Sequence, residues 1–124
     1  MFIRQPFDEF LEMKYERTTE NSVKVTLPIK PLFVNSVGVI HGGIISTLAD
    51  VALCNTVAPD EFGKQKVVTV DLTVTFLKGA KSEFLTARAF AVKKGRSLTH
   101  ADCLIYDDQE QAVAKAKAVL FNNH

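Results

Sequence analysis

The chain has 124 residues, 47% of them apolar, which suits one folded domain around one core and excludes a disordered chain. Fifteen Lys and Arg residues against fourteen Asp and Glu leave a formal charge of +1, so no chain-wide basic field exists to gather nucleic acid. No apolar run approaches the ~18 residues of a membrane helix, and the opening MFIRQPFDEF lacks the long apolar stretch of a secretion signal. Cys54 and Cys103 lie far apart in apolar neighbourhoods and read as reduced, buried thiols rather than a disulfide; the expected location is cytoplasmic.

In chain order, residues 2–12 suggest a short helix with Phe7, Phe10 and Leu11 on one side. MKYERTTE and NSVKVTLPI read as two short strands around a turn near Glu20 and Asn21, with Val23, Val25 and Leu27 alternating against Ser22, Lys24 and Thr26. PLFVNSVGVI reads as a loop punctuated by Pro and Gly. A long helix is expected from about Gly43 to Val57, with Pro59 and Gly63 marking its exit.

The remainder reads as strands. In KVVTVDLTVTFL, strict alternation puts Val68, Val70, Leu72, Val74 and Phe76 on one face and Thr69, Asp71, Thr73 and Thr75 on the other. EFLTARAFAVK, LTHADCLIYD and QAVAKAKAVLF follow, separated by the turns KKGRS and DDQE. One face of each is small: Ala87, Ala89 and Ala91; Ala101 and Cys103; Ala112, Ala114, Ala116 and Ala118. Alanine is a poor strand former, so a bulky element is expected close against that face, and the long helix is the candidate. The predicted fold class is α+β: an antiparallel sheet of five or six strands wrapped around one long central helix.

The chemistry concentrates in NSVGVIHGGIISTLADVALC. Ser46, Thr47, Asp50 and Cys54 recur at spacings of three and four and form a narrow polar stripe on an otherwise apolar helix. One sheet covers only part of such a helix, so its other side is expected to meet a second subunit or a ligand. Gly42 and Gly43 either make a tight turn or leave the helix-start amides open to an oxyanion or a polarised carbonyl. A carboxylate at Asp50 is costly to bury unpaired, so it either pairs at a subunit interface or faces a pocket as base or nucleophile. His41 fits a local hydrogen-bonding role, and Cys54, without a cationic neighbour in sequence, reads as packing. The histidines at 41, 100 and 124 are too scattered for a metal site, and no metal is expected. No nucleophile elbow, P-loop or dinucleotide fingerprint is present. The turn from Lys93 to Arg96 is the one local basic cluster, either a solvated hairpin or a contact for phosphates.

The loop-then-helix pattern N-x5-HGG-x6-D resembles the hotdog-fold acyl-CoA thioesterases of the phenylacetate-pathway type, which include the thioesterase superfamily member 13-like enzymes. The strand series from VVTVDLTVTFL to AVAKAKAVLF is similar to theirs, and the resemblance covers roughly residues 20–121. It implies a hotdog fold, a homodimer whose sheets join, often paired again into a homotetramer, and an active site between subunits. It implies an acyl-CoA substrate and no cofactor, coenzyme A being part of the substrate. Asp50 matches the catalytic carboxylate, Gly42 the helix-start glycine whose amide polarises the thioester, and Gly43 the residue supporting that turn. Asn35 matches a loop amide that positions substrate or water, and His41 a histidine that steadies the loop and contacts the thioester. Thr69 falls where relatives carry a hydroxyl, here with an added methyl. Arg96, with Lys93, Lys94 and Ser97, falls where relatives contact the nucleotide end of coenzyme A. Two rivals share the fold: an acyl-thioester dehydratase, whose HFPG pattern the HGG of this chain does not match, and a non-catalytic acyl-CoA-binding module. Aryl, hydroxyaryl and medium-chain aliphatic acyl groups are all compatible with the sequence.

Overall fold

The computed structural model describes residues 1–123. A short helix, α1 (Pro6–Phe10), leads into the hairpin β1 (Lys14–Thr19) and β2 (Ser22–Pro28). A 3-10 turn at Pro31–Phe33 precedes the long helix α2 (Gly42–Cys54), and four strands follow: β3 (Val67–Phe76), β4 (Phe84–Lys94), β5 (Leu98–Tyr106) and β6 (Ala112–Asn122). All pairings are antiparallel, in one six-stranded sheet of order β1-β2-β4-β5-β6-β3. The connection through α2 therefore spans the sheet, leaving β2 near one edge and delivering β3 to the other.

α2 lies across β2 to β6. Its Ile45, Leu48, Ala49 and Ala52, spaced at three, four and seven, are buried, as are Ala87, Ala89, Ala101, Cys103, Ala114, Ala116 and Ala118 of the sheet. The small face is thus the floor on which the helix rests. Ala91 and Ala112, at the strand ends, are only half-buried and stand outside this floor. Small side chains on both surfaces let the helix approach closely, and Leu27, Leu85, Ile105 and Leu120 fill the flanks at 0% exposure.

The helix stops at Cys54, three residues before the expected end, because the next two side chains fold back onto its last turn. Asn55 Nδ2 donates to the Val51 carbonyl at 2.8 Å and Thr56 Oγ1 to that of Leu53 at 2.6 Å, which satisfies carbonyls a helix end leaves open. Asn55 Oδ1 accepts the Ile3 amide at 2.9 Å and so ties the N-terminal segment to the helix.

Two local expectations are corrected. The first helix spans only Pro6–Phe10, and it is turned over: Phe7 and Phe10 are 51% and 63% exposed while Asp8 is 4% exposed. Of the three apolar residues expected on its inner side, only Leu11 goes in. The strict alternation of β3 also fails. Thr69 lies opposite Leu120 and Asp71 opposite Val119, so one extra residue, Val70, is bulged out of the β3–β6 ladder. Each residue before the bulge therefore changes face relative to those after it. Leu72 and Val74 point toward the helix as expected, but so do Val67 and Thr69, while Val68 and Val70 are 47% and 59% exposed.

If the small face sets the helix-to-sheet distance, Ala89→Leu forces three extra heavy atoms beneath α2. The expected loss is about 1–3 kcal/mol of unfolding free energy, read as a lower urea midpoint at unchanged m-value.

Candidate active site

The loop before α2 is an ordered miniature hairpin. Asn35 Oδ1 accepts the amides of Val37 and Val39, each at 3.1 Å, and the Asn35 amide donates to the Val39 carbonyl at 2.8 Å. Gly38, at φ +84°, makes the reversal that a side chain would strain. The His41 amide donates to the Phe33 carbonyl at 2.7 Å and that of Ile40 to Ala80 at 2.8 Å, which ties the loop to the 3-10 turn and to the β3–β4 connection.

His41 is the N-cap of α2. Its Nδ1 accepts the Gly43 amide at 3.3 Å, which places the ring proton on Nε2. The Ile44 and Ile45 amides both reach the His41 carbonyl, at 3.0 and 3.2 Å. Of the first four amides of the helix, only that of Gly42 has no partner among the described residues. A Cβ on Gly42 would lie 3.1 Å from the Phe76 ring, so the glycine also lets β3 close over the helix start.

Asp50 sits half-buried in the middle of the same helix, facing the inward part of β3. Thr69 Oγ1 donates to Asp50 Oδ1 at 2.7 Å. The proton of Thr69 being committed, its oxygen is free to accept from the Cys54 thiol 3.2 Å away; the thiol is 3.9 Å from Asp50 Oδ1. The three side chains form a directed chain, Cys54 to Thr69 to Asp50, that holds one carboxylate oxygen. The other, Oδ2, takes no hydrogen bond from the described residues. The bulge at Val70 makes this possible, since without it Thr69 would face away from the helix.

Asp8 joins this region from α1. It is close enough to Asp50 and Cys54 for its charge to act on both, and burial, then the charge of Asp50, push its carboxyl above the ordinary 3.8 against the bond from Gln5. The sequence offered no signal for Asp8, because a helical projection of residues 2–12 turns it to solvent.

Asp50 and Gly42 are eight residues apart on one straight helix, a separation of about 12 Å. One protomer therefore cannot bring both to a single carbonyl. Lys93, Lys94, Arg96 and Ser97 lie at the β4–β5 turn, all exposed and at a distance from the Asp50 cluster along the sheet. Asn122 braces this turn, its Nδ2 donating to the Gly95 carbonyl at 2.8 Å and to that of Arg96 at 3.3 Å. A cavity of about 550 Å³ opens beside it, and Lys64 and Lys66 line it together with Lys94. Those two lysines are basic candidates the sequence reading passed over; the KQK run at 64–66 carried the signal. Among the described residues no three His, Cys, Asp or Glu side chains gather as a metal site, and His124 lies outside those residues. No helix among them is long and apolar enough to cross a membrane.

Both cysteines are free and buried, and burial pushes the Cys54 thiol up to about 11 and that of Cys103 up to about 12. Neither is expected to react with a disulfide-type thiol reagent at pH 8 until the protein unfolds. A stopped-flow titration with and without denaturant checks this, and rapid native labelling contradicts it.

The Thioesterase superfamily pattern matches residues 37–114, which runs from the loop before α2 into β6. The medium/long-chain acyl-CoA thioesterase YigI of Escherichia coli K12 is 25% identical over 134 residues, covering 95% of this chain and 86% of that protein. A thioesterase family protein from Silicibacter pomeroyi superposes with a TM-score of 0.83 at 29% identity, covering 97% of this chain and 90% of that one. The BH2602 protein of Bacillus halodurans, solved with CoA, superposes at 0.83 with 27% identity, covering 98% and 80%. The six-stranded antiparallel sheet around one long helix is the hotdog architecture expected from the resemblance, and the chain belongs to the thioesterase superfamily.

Proposed function

We propose that the protein hydrolyses acyl-CoA thioesters at two symmetric sites of a homodimer, each built from the Asp50 of one subunit and the Gly42 amide of the other. One observation carries this: a helix-start amide without a partner and a half-buried carboxylate with one oxygen held by Thr69 lie about 12 Å apart on one helix. Two-fold pairing brings one subunit's amide to the other's carboxylate. β3, ten residues long and at the edge of the sheet, pairs with β6 on one side only and leaves its outer edge open beside Thr69, and its pairing with a second copy continues the sheet and covers the exposed side of α2.

In this site the thioester carbonyl accepts from the Gly42 N–H, where the positive end of the helix favours the charge that develops on oxygen. Asp50 Oδ2 takes a proton from water as the water oxygen bonds to the acyl carbon, or attacks that carbon itself to give an anhydride that water then opens. The C–S bond breaks, and the coenzyme A thiolate takes up the proton. His41 contributes its Nε2–H, which the Nδ1 bond to Gly43 leaves available, and Asn35, its side-chain carbonyl oxygen committed to the loop, has its NH₂ to position substrate or water. Lys93, Lys94, Arg96 and Ser97, with Lys64 and Lys66, supply the charge and donors that phosphates of coenzyme A require. The relatives support the substrate class: YigI is described as acting on medium- and long-chain acyl-CoA, and BH2602 was solved with CoA.

Asp50→Asn is expected to lower turnover by about 10²–10⁴-fold without loss of fold, measured as thiol release from a panel of acyl-CoAs. Thr69→Val removes a hydrogen bond to a charged group worth about 1.5–3 kcal/mol, a loss of roughly 10- to 100-fold in kcat. Full activity in Asp50→Asn rules it out as the catalyst. A single turnover in ¹⁸O-water separates the two roles of Asp50, label entering its carboxylate only if an anhydride forms.

The shared site has its own test. Gly42→Pro deletes the amide at the first helical position, where the backbone accepts proline although its Cβ presses on the Phe76 ring; a variant that melts like the parent is expected to be inactive alone, like Asp50→Asn. Co-expressed, the two variants form mixed dimers with one intact site, so activity returns. No recovery in verified mixed dimers places the whole site within one chain.

A further inference from the structure

Asn122, the last residue of β6, holds the whole β4–β5 turn. Its Nδ2 donates to the Gly95 and Arg96 carbonyls at 2.8 and 3.3 Å, and its own backbone amide to the Ser97 carbonyl at 2.8 Å. All three carbonyls between β4 and β5 therefore end on one residue. A carbonyl only accepts, so the side-chain NH₂ faces the turn and Oδ1 is left for the Thr99 hydroxyl, which donates to it at 2.8 Å. Thr99 is buried, so the amide is oriented from the core side. On its other flank Asn122 pairs with Val67 of β3, and the next amide, that of Asn123, donates to the Lys66 carbonyl at 2.8 Å. One strand end thus ties together two basic segments that are far apart in sequence.

Both segments border the cavity of about 550 Å³, where Lys64, Lys66 and Lys94 stand against one aspartate, Asp60. Asp60 Oδ1 is occupied by the amides of Phe62 and Lys64, at 2.8 and 2.9 Å. Thr99 and Asn122 line the same cavity. Thr69 lies opposite Leu120, Leu120 opposite Thr99, and Thr99 opposite Lys94. That row crosses three strand spacings, so the cavity stands about 14 Å across the sheet from the hydroxyl that holds Asp50. Asn122, two residues beyond Leu120, is on the same face of the sheet.

We propose that Asn122 is a positioning residue for the phosphorylated nucleotide end of coenzyme A, acting through Lys94 on one side and Lys66 on the other. This rests on the thioesterase reading. Asn122 itself has no donor to spare, since both hydrogens of its NH₂ are committed to the turn. What it supplies is a fixed backbone beneath two long, flexible cations. Lysine loses side-chain freedom when it grips a phosphate, and a mobile turn would add a further ordering loss at the moment of binding. A turn already fixed by three bonds removes that part.

The test puts one acyl group, the best of the panel above, on two thiols: coenzyme A, and N-acetylcysteamine, which lacks the nucleotide and its phosphates. Asn122→Leu keeps the branching at Cγ and loses every side-chain hydrogen bond. It is expected to raise KM for the coenzyme A ester about 10-fold at unchanged kcat, the mark of lost ground-state binding, and to leave kcat/KM for the short ester as in the parent. Thr99→Val releases the amide from its orienting donor and is expected to act in the same direction to a smaller degree; it decides the matter if Asn122→Leu does not fold. A residue that only stabilises the end of the sheet affects both esters alike or neither. Equal effects on the two esters, or an unchanged KM for the coenzyme A ester in the folded variants, overturns the assignment. Binding of adenosine 3′,5′-bisphosphate, the nucleotide end alone, reads the same contact by calorimetry without turnover, and its affinity is expected to fall about 10-fold in Asn122→Leu. A parent that releases no thiol yet binds the bisphosphate in an Asn122-dependent way defeats hydrolysis and leaves the assignment standing. Thiol release, with KM and bisphosphate affinity indifferent to both variants, does the reverse.

Discussion

The hydrogen bond from Thr69 to Asp50 is the contact on which the geometry of the candidate site depends. It requires a hydroxyl on the inward side of β3 at the level of the middle of α2, and an unbroken strand puts Thr69 on the outward side. The extra residue at Val70 supplies the correction. A bulge disrupts one step of a ladder and exposes a valine, a local loss that neighbouring pairings absorb. In return one side chain is re-aimed, and Asp50 acquires a fixed donor in a place where an unpaired carboxylate would be destabilising.

That geometry stands on close packing. Alanines on β4, β5 and β6 give up strand propensity and side-chain burial so that α2 can come down onto the sheet, where Ala49 and Ala52 meet them. A larger residue anywhere on this floor lifts the helix and lengthens the 2.7 Å contact. The same helix presents the two candidate groups at different heights, an amide at its first residue with no partner among the described residues and a carboxylate two turns further on. Because a helix rises only about 1.5 Å per residue and cannot fold back, the two can act on one carbonyl only across a two-fold axis.

Asp8 shows the opposite balance. Three of the other five buried polar side chains among the described residues tie down backbone: Asn55 holds Ile3 and Val51, Thr56 holds Leu53, and Asp107 caps its own turn through the Gln109 and Gln111 amides. Asp8 leaves an oxygen unused on a helix that would bury more apolar surface the other way round.

Much of the architecture was legible because it follows from short-range pattern. The Val23, Val25, Leu27 alternation, the three alanine-faced strands and the apolar stretch after His-Gly-Gly each specify an element and its buried side, and together they imply a sheet wrapped on one helix. The polar stripe through Asp50 and Cys54 was equally readable, since helical spacing alone places them together. Where the reading erred, the deciding contact was long-range. The faces of β3 depended on its register against β6, whose paired residues lie 38 to 55 positions away in sequence, and no local pattern announces a bulge. The orientation of α1 depended on Asn55 and Gly63 capturing Ile3 and Arg4, which turned Asp8 inward against its own amphipathic pattern. The sequence by itself determined the elements, the small-residue floor and the candidate carboxylate, because these rest on periodicity and residue size. Only the tertiary structure decided that Thr69 and Cys54 hold Asp50, that of the four helix-start amides Gly42's is the one left open, and that Asp8 is buried, because each turns on which distant group a side chain or amide meets.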